Sequence, residues 1–189
     1  MPREHVSFFG SAVIPLRLAF LMWLVFSVEF FYGIDFSFLG IQPRTLFGLV
    51  GIVTAPLIHG SLAHLISNTL PLLFLGCTLF FFYYRIGRIV FLNCYFYTNI
   101  LVWLFSPRVS YHIGASGLIY GLSAFLIFFG FLRRDFTSLL ISIMVTVLYG
   151  GIFYGILPTD PMISWESHLA GALVGTVSAF NLAHKKRVS

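Results

Sequence analysis

A chain that folds in water must cover its surface with charge, and this one cannot. Its 189 residues hold 11 Lys and Arg and 6 Asp and Glu, 9% in all, against 59% hydrophobic residues. Soluble domains carry about 25% charged residues. A soluble enzyme, a disordered chain and a nucleic-acid-binding domain are therefore excluded. The expected class is an all-α polytopic membrane protein, and the length suits one domain. The net charge of +5 is read as a topology signal rather than as a nucleic-acid surface. Cys77 and Cys94 fall in apolar stretches and read as small hydrophobes.

A membrane span needs about 20 mostly apolar residues. Six stretches qualify, at about 13–32, 59–82, 89–105, 116–132, 139–157 and 163–183. The first carries Arg17 and Glu29 and no small-x-small cleavage site, so it is expected to be a retained helix rather than a signal peptide. With the N-terminus in the cytoplasm, the inner segments hold Arg3, Arg85, Arg88, Arg133, Arg134, Lys185, Lys186 and Arg187, and the outer loops only Arg44 and Arg108. That asymmetry predicts six spans with both termini cytoplasmic. The first outer connection, 33–57, is apolar and aromatic, and is expected to lie in the interface beside the bundle.

Polar side chains inside hydrocarbon are costly and are functional candidates by default. Four stand out: His64 and Asn68 on the second span, Ser116 opening the fourth and His168 opening the sixth. The intervals Asn68–Arg85, Ser116–Arg133 and His168–Lys185 are each 17 residues. At about 1.5 Å per residue, all three polar groups lie roughly 25 Å above a cytoplasmic basic anchor, at one level near the outer surface. Ser116 sits in Gly114-Ala115-Ser116-Gly117, where free helix N–H groups could hold an oxyanion. Taken alone it reads as an N-cap. Gly171 and Gly175 after His168, and Gly117, Gly121 and Ala124 after Ser116, form small-residue faces that let two helices approach closely. If these faces meet, the histidine can accept the serine's proton. Taken alone, His168 reads as structural or as part of a proton path. His64 and Asn68, four residues apart, share a face; they read either as oxyanion donors or as an interhelical pair. Glu166 reads as lying nearer the outer surface than His168, leaving a dyad without an acid. Tyr120 lies one turn below Ser116 and either supports His168 by stacking or fills the core.

These motifs, in this order on the second, fourth and sixth spans, resemble the rhomboid family of intramembrane serine proteases over nearly the whole chain. The resemblance implies a single six-helix core over 1–189. Ser116 would be the nucleophile and His168 the general base and then acid. His64, Asn68 and the Ser116 backbone N–H would form the oxyanion hole. Gly114, Gly117, Tyr120, Gly171 and Gly175 would support it, with Tyr120 packing on His168. Substrates would be single-pass transmembrane proteins in the lipid bilayer, and the fifth span a lateral gate. Both ends inside suggest a prokaryotic plasma membrane. One departure is the absence of the Trp-Arg pair many members carry in the first loop; here the loop offers Pro43-Arg44.

Other chemistries have weaker support. No H-E-x-x-H and no G-x-G-D motif is present, and Thr159-Asp160-Pro161 alone makes no aspartyl site. A His64/His112/His168 metal site has no recognised spacing, so neither metal nor cofactor is expected. The competing classes are a catalytically silent relative that binds membrane clients, which usually lacks the serine or histidine, and a small transporter, which needs polar groups along a full path. Glu29, Asn93 and Asn99 are left with structural roles.

Overall fold

The computed structural model describes residues 7–158 and 163–188. Arg3 and Thr159-Asp160-Pro161 lie outside the described residues. Six long helices account for most of the rest: α1 Phe8–Tyr32, α2 Leu62–Phe82, α3 Tyr84–Phe105, α4 Ser116–Arg133, α5 Phe136–Tyr149 and α6 Trp165–Val188. The first four are each long and apolar enough to cross a bilayer. The apolar stretch expected over 139–157 is α-helical only to Tyr149 and continues as a tighter 3-10 helix over Gly150–Ile156. An apolar pattern does not distinguish the two, and the Gly150-Gly151 pair weakens the α-helix there.

Local sequence explains the helix ends. Ser7, Ser61 and Asp135 each sit in extended backbone, and their side chains accept the N–H three residues on. Gly33, at φ 65°, ends α1 in the left-handed conformation that glycine adopts without strain.

Helix α4 is the axis of the bundle. Leu122, Ala124, Phe125 and Leu126 are wholly inaccessible, as expected for a helix that is apolar all round. Its tightest neighbour is α6. A β-carbon on Gly171 would fall on the Gly117 carbonyl, and one on Gly175 on the Gly121 carbonyl. The two small-residue faces are therefore in backbone contact. Helix α1 packs on α2, where Pro15 occupies the space a side chain at Gly76 would need and Trp23 Nε1 donates to Thr69 Oγ1 at 3.0 Å. Outward-facing Phe20, Leu70, Leu140 and Leu148 are exposed. Water would not tolerate apolar surface on this scale, whereas lipid does.

The segment 33–57 is neither strand nor long helix. It runs through short helical turns and is clamped to α3 by side chains. Tyr95 Oη donates to the Val53 carbonyl at 2.6 Å, Asn99 Nδ2 to Ile52 at 3.0 Å and Trp103 Nε1 to Thr45 at 2.9 Å. Arg44 donates to the Ser106 carbonyl. Although the loop lacks an adjacent Trp-Arg pair, a tryptophan from α3 and an arginine from the loop meet here, since Arg44 N–H also donates to the Trp103 carbonyl at 3.0 Å. Asn99 thus has a structural role, and so has Glu29, which accepts the Phe36 N–H at 2.9 Å.

Gly171→Ala should destabilise the protein by about 1–3 kcal/mol, because the new methyl must separate two backbones. Gly151→Ala, where a β-carbon meets nothing within 4 Å, should stay within about 0.5 kcal/mol of wild type. Thermal unfolding of both variants in detergent tests this.

Candidate active site

The α4–α6 contact brings two side chains 52 residues apart into hydrogen-bond distance: Ser116 Oγ lies 2.8 Å from His168 Nε2. Ser116 is the first residue of α4, and the N-cap position belongs to Ala115. The serine hydroxyl is therefore not spent on capping and points at the imidazole. His168 Nδ1 donates to the Gly155 carbonyl at 2.9 Å, so Nε2 is left as the acceptor for the serine proton. The imidazole stacks on Tyr120, with ring centroids 3.9 Å apart and planes inclined by 11°.

His64 and Asn68 reach the same place from α2. A β-carbon on Gly114 would lie 2.7 Å from His64 Nε2 and 3.9 Å from Asn68 Nδ2. Both side chains thus converge beside the backbone that leads into Ser116. Gly114 has φ 101°, a conformation that other residues rarely adopt. Its lack of a side chain also leaves room for the His64 ring. Asn68 Nδ2 donates to the His64 carbonyl at 2.9 Å, which fixes the amide plane and leaves its second N–H as a further donor. Ser116, His168, Tyr120, His64 and Asn68 all line one cavity of about 610 Å³, together with Ser61, Ser67 and Ser164. Gly117, Gly171 and Gly175 line none of it; they set the distance between the helices.

A polar clamp next to this cavity has no counterpart in the sequence reading. Arg108 and Glu166 form a two-pronged ion pair, Nε to Oε1 at 2.6 Å and Nη2 to Oε2 at 2.8 Å, and Arg108 also donates to the Ile163 carbonyl. His112 is buried, with Nε2 2.9 Å from Ser106 Oγ and Nδ1 2.6 Å from Ser164 Oγ, which in turn lies 2.7 Å from Ser167 Oγ. The α3–α4 loop is thereby fastened to the first turn of α6, two residues from His168. The signal for the pair was an isolated arginine in an outer loop and an isolated glutamate in an almost uncharged chain. Among the described residues, no three His, Cys, Asp or Glu side chains converge to hold a metal ion.

Comparison with known proteins places this geometry in context. A model of the rhomboid domain matches residues 47–185. Uncharacterised proteins of Mycobacterium bovis and Mycobacterium tuberculosis are each 32% identical over 188 residues, covering 91% of this chain and 75% of theirs. An uncharacterised protein of Mycobacterium leprae is 35% identical over 156 residues, covering 74% of this chain and 58% of its own.

Burial pushes the His112 imidazole below its ordinary value, with Arg108 acting in the same direction and Glu166 against it. The folded protein then binds fewer protons than the unfolded chain at pH values just under the usual histidine range. This group's contribution to stability is complete above about pH 6.5 and is lost as the pH falls through the lowered value. The melting temperature should therefore drop between about pH 7.5 and about pH 5.5. The drop should be smaller in His112→Gln; equal slopes would show that His112 is not a source of it.

Proposed function

The chain belongs to the rhomboid family, and on that premise we propose that it is an intramembrane serine endopeptidase acting through Ser116 and His168. The observation that carries this reading is the 2.8 Å contact between Ser116 Oγ and His168 Nε2, made by a serine that caps nothing at a helix N-terminus. A silent client-binding role does not require that alignment.

The chemistry follows from the atoms. Ser116 Oγ attacks the scissile carbonyl carbon and its proton passes to His168 Nε2. The oxyanion that forms is held by the Ser116 backbone N–H, Asn68 and His64, in a partly enclosed cavity where such contacts are stronger than in bulk water. The peptide C–N bond then breaks, and Nε2–H donates its proton to the leaving amine. Water enters, gives a proton to Nε2 and attacks the acyl carbon; the acyl C–Oγ bond then breaks, Nε2–H returns its proton to Ser116 Oγ, and the acid product leaves. The stack on Tyr120 keeps the imidazole plane fixed through these steps.

The substrates are single-pass transmembrane proteins, because a backbone carbonyl must be presented within the bilayer. It must come from a helix that unwinds locally, since a regular helix has every such group paired. We read the chain as one six-span core with both ends in the cytoplasm. This is supported by the basic-residue asymmetry and by the reach of the fifth segment. Fourteen α-helical residues at about 1.5 Å and seven 3-10 residues at about 2 Å add up to about 35 Å, enough for a hydrocarbon core of about 30 Å. Mycobacterial relatives fit a prokaryotic plasma membrane.

Purified protein in liposomes should cleave a single-pass reporter. Ser116→Ala and His168→Ala should each lose at least about 10³-fold in rate, and Asn68→Ala about 10²-fold as an oxyanion donor is removed. A metal chelator should change nothing. Cleavage by Ser116→Ala at the wild-type rate would refute the mechanism. Absence of both cleavage and fluorophosphonate labelling of Ser116 in wild type would favour a client-binding protein.

A further inference from the structure

We propose that the backbone carbonyl of Gly155 is the third member of the catalytic group, the positioning element that sets the tautomer and plane of His168. This rests on the serine-protease reading and adds to it a residue outside every motif that identified the site.

Two independent observations carry it. The first is the hydrogen bond from His168 Nδ1 to the Gly155 carbonyl, at 2.9 Å. A carbonyl oxygen can only accept, so the proton must sit on Nδ1. A neutral imidazole has one proton, so Nε2 must carry the lone pair, and Nε2 is the atom facing Ser116 Oγ at 2.8 Å. With the other tautomer, Nε2–H would face the serine and could not take its proton. The second observation is steric. A β-carbon on Gly155 would fall on the Tyr120 hydroxyl, 3.0 Å from His168 Nδ1 and 3.1 Å from Tyr120 Cζ. The 3-10 segment Gly150–Ile156 therefore lies directly against the edge of the stacked Tyr120–His168 pair, and only glycine allows that approach. One backbone position thus holds the imidazole from its edge while Tyr120 holds its face.

The side chain at 155 carries no acceptor, so the test alters the backbone. An ester in place of the Gly155–Ile156 amide keeps the chain and weakens the Gly155 carbonyl as an acceptor. An ester in place of the Tyr154–Gly155 amide perturbs the same segment but leaves that carbonyl an amide. The first should lower kcat for the reporter about tenfold with KM nearly unchanged, and the second should stay within about twofold of wild type. Nitrogen NMR of labelled histidine should show the His168 proton on Nδ1 in wild type and in the second ester, and a mixture of tautomers in the first. Gly155→Ala should also lose activity, and Tyr120→Phe should recover part of it in that background by removing the colliding hydroxyl. The proposal is overturned if the two esters behave alike or if the Nδ1 proton is unaffected by the first. If wild type shows no Ser116-dependent cleavage, the protease reading fails separately, and the tautomer measurement still decides the role of Gly155.

Discussion

Everything at the site hangs on the backbone contact between α4 and α6. In lipid there is little hydrophobic gain from pressing two apolar helices together, so close approach of small residues must do it. The carbonyls of Gly117 and Gly121 occupy the space that β-carbons on Gly171 and Gly175 would fill. A β-carbon at either position would force the two backbones apart. The same column fixes relative height, so a serine one residue before Gly117 and a histidine three before Gly171 arrive at one level.

Helix contact alone does not hold the open ends, where α4 and α6 begin and the cavity opens. There the protein uses two of its few charges. Arg108 and Glu166 are held in a two-pronged pair with Glu166 buried. Such a pair is weak evidence for net stability, because desolvation offsets much of the attraction, but it is demanding in geometry. Together with the hydroxyl chain through His112, Ser164 and Ser167, it ties the loop that feeds Ser116 to the turn that carries His168. The loop 33–57 is tied to α3 in the same manner, by side-chain donors onto its carbonyls. An irregular backbone in a chain this apolar needs such partners, since an unpaired carbonyl away from water costs several kcal/mol.

These arrangements were unequally legible in the sequence. Scarcity of charge forced a helical membrane protein, because it bears on every residue at once. The four-residue spacing of glycines predicted which helix faces meet, since period and size are both written in the sequence. The role of Ser116 could not be separated from capping by spacing alone; the structure shows Ala115 in the cap position and the serine hydroxyl turned to the imidazole. Scarcity of charge alone hinted at the partnership of Arg108 with Glu166, and nothing marked the setting of His112, because 58 and 52 residues separate the partners and no local pattern joins them. The early end of α5 was missed because apolar composition marks a stretch without stating its helix type. Gly155 was missed for a deeper reason: the group that matters is a carbonyl, and every residue has one.

On the proposed mechanism, a carbonyl in that position also accounts for a histidine that, among the described residues, has no carboxylate on its Nδ1. In water-exposed serine proteases a buried carboxylate orients the histidine and stabilises the imidazolium. Here the histidine is buried in a bundle facing lipid, where a resting carboxylate would carry a large desolvation cost. The acid nearest in sequence, Glu166, has both oxygens engaged by Arg108 at 2.6 and 2.8 Å, so its charge is balanced away from the ring. The Gly155 carbonyl offers orientation through a dipole with no net charge to desolvate. It gives less support to the imidazolium than a carboxylate would, so more of the stabilisation must come from the oxyanion side. On the proposed mechanism that side consists of the donors on His64 and Asn68 and the Ser116 backbone N–H.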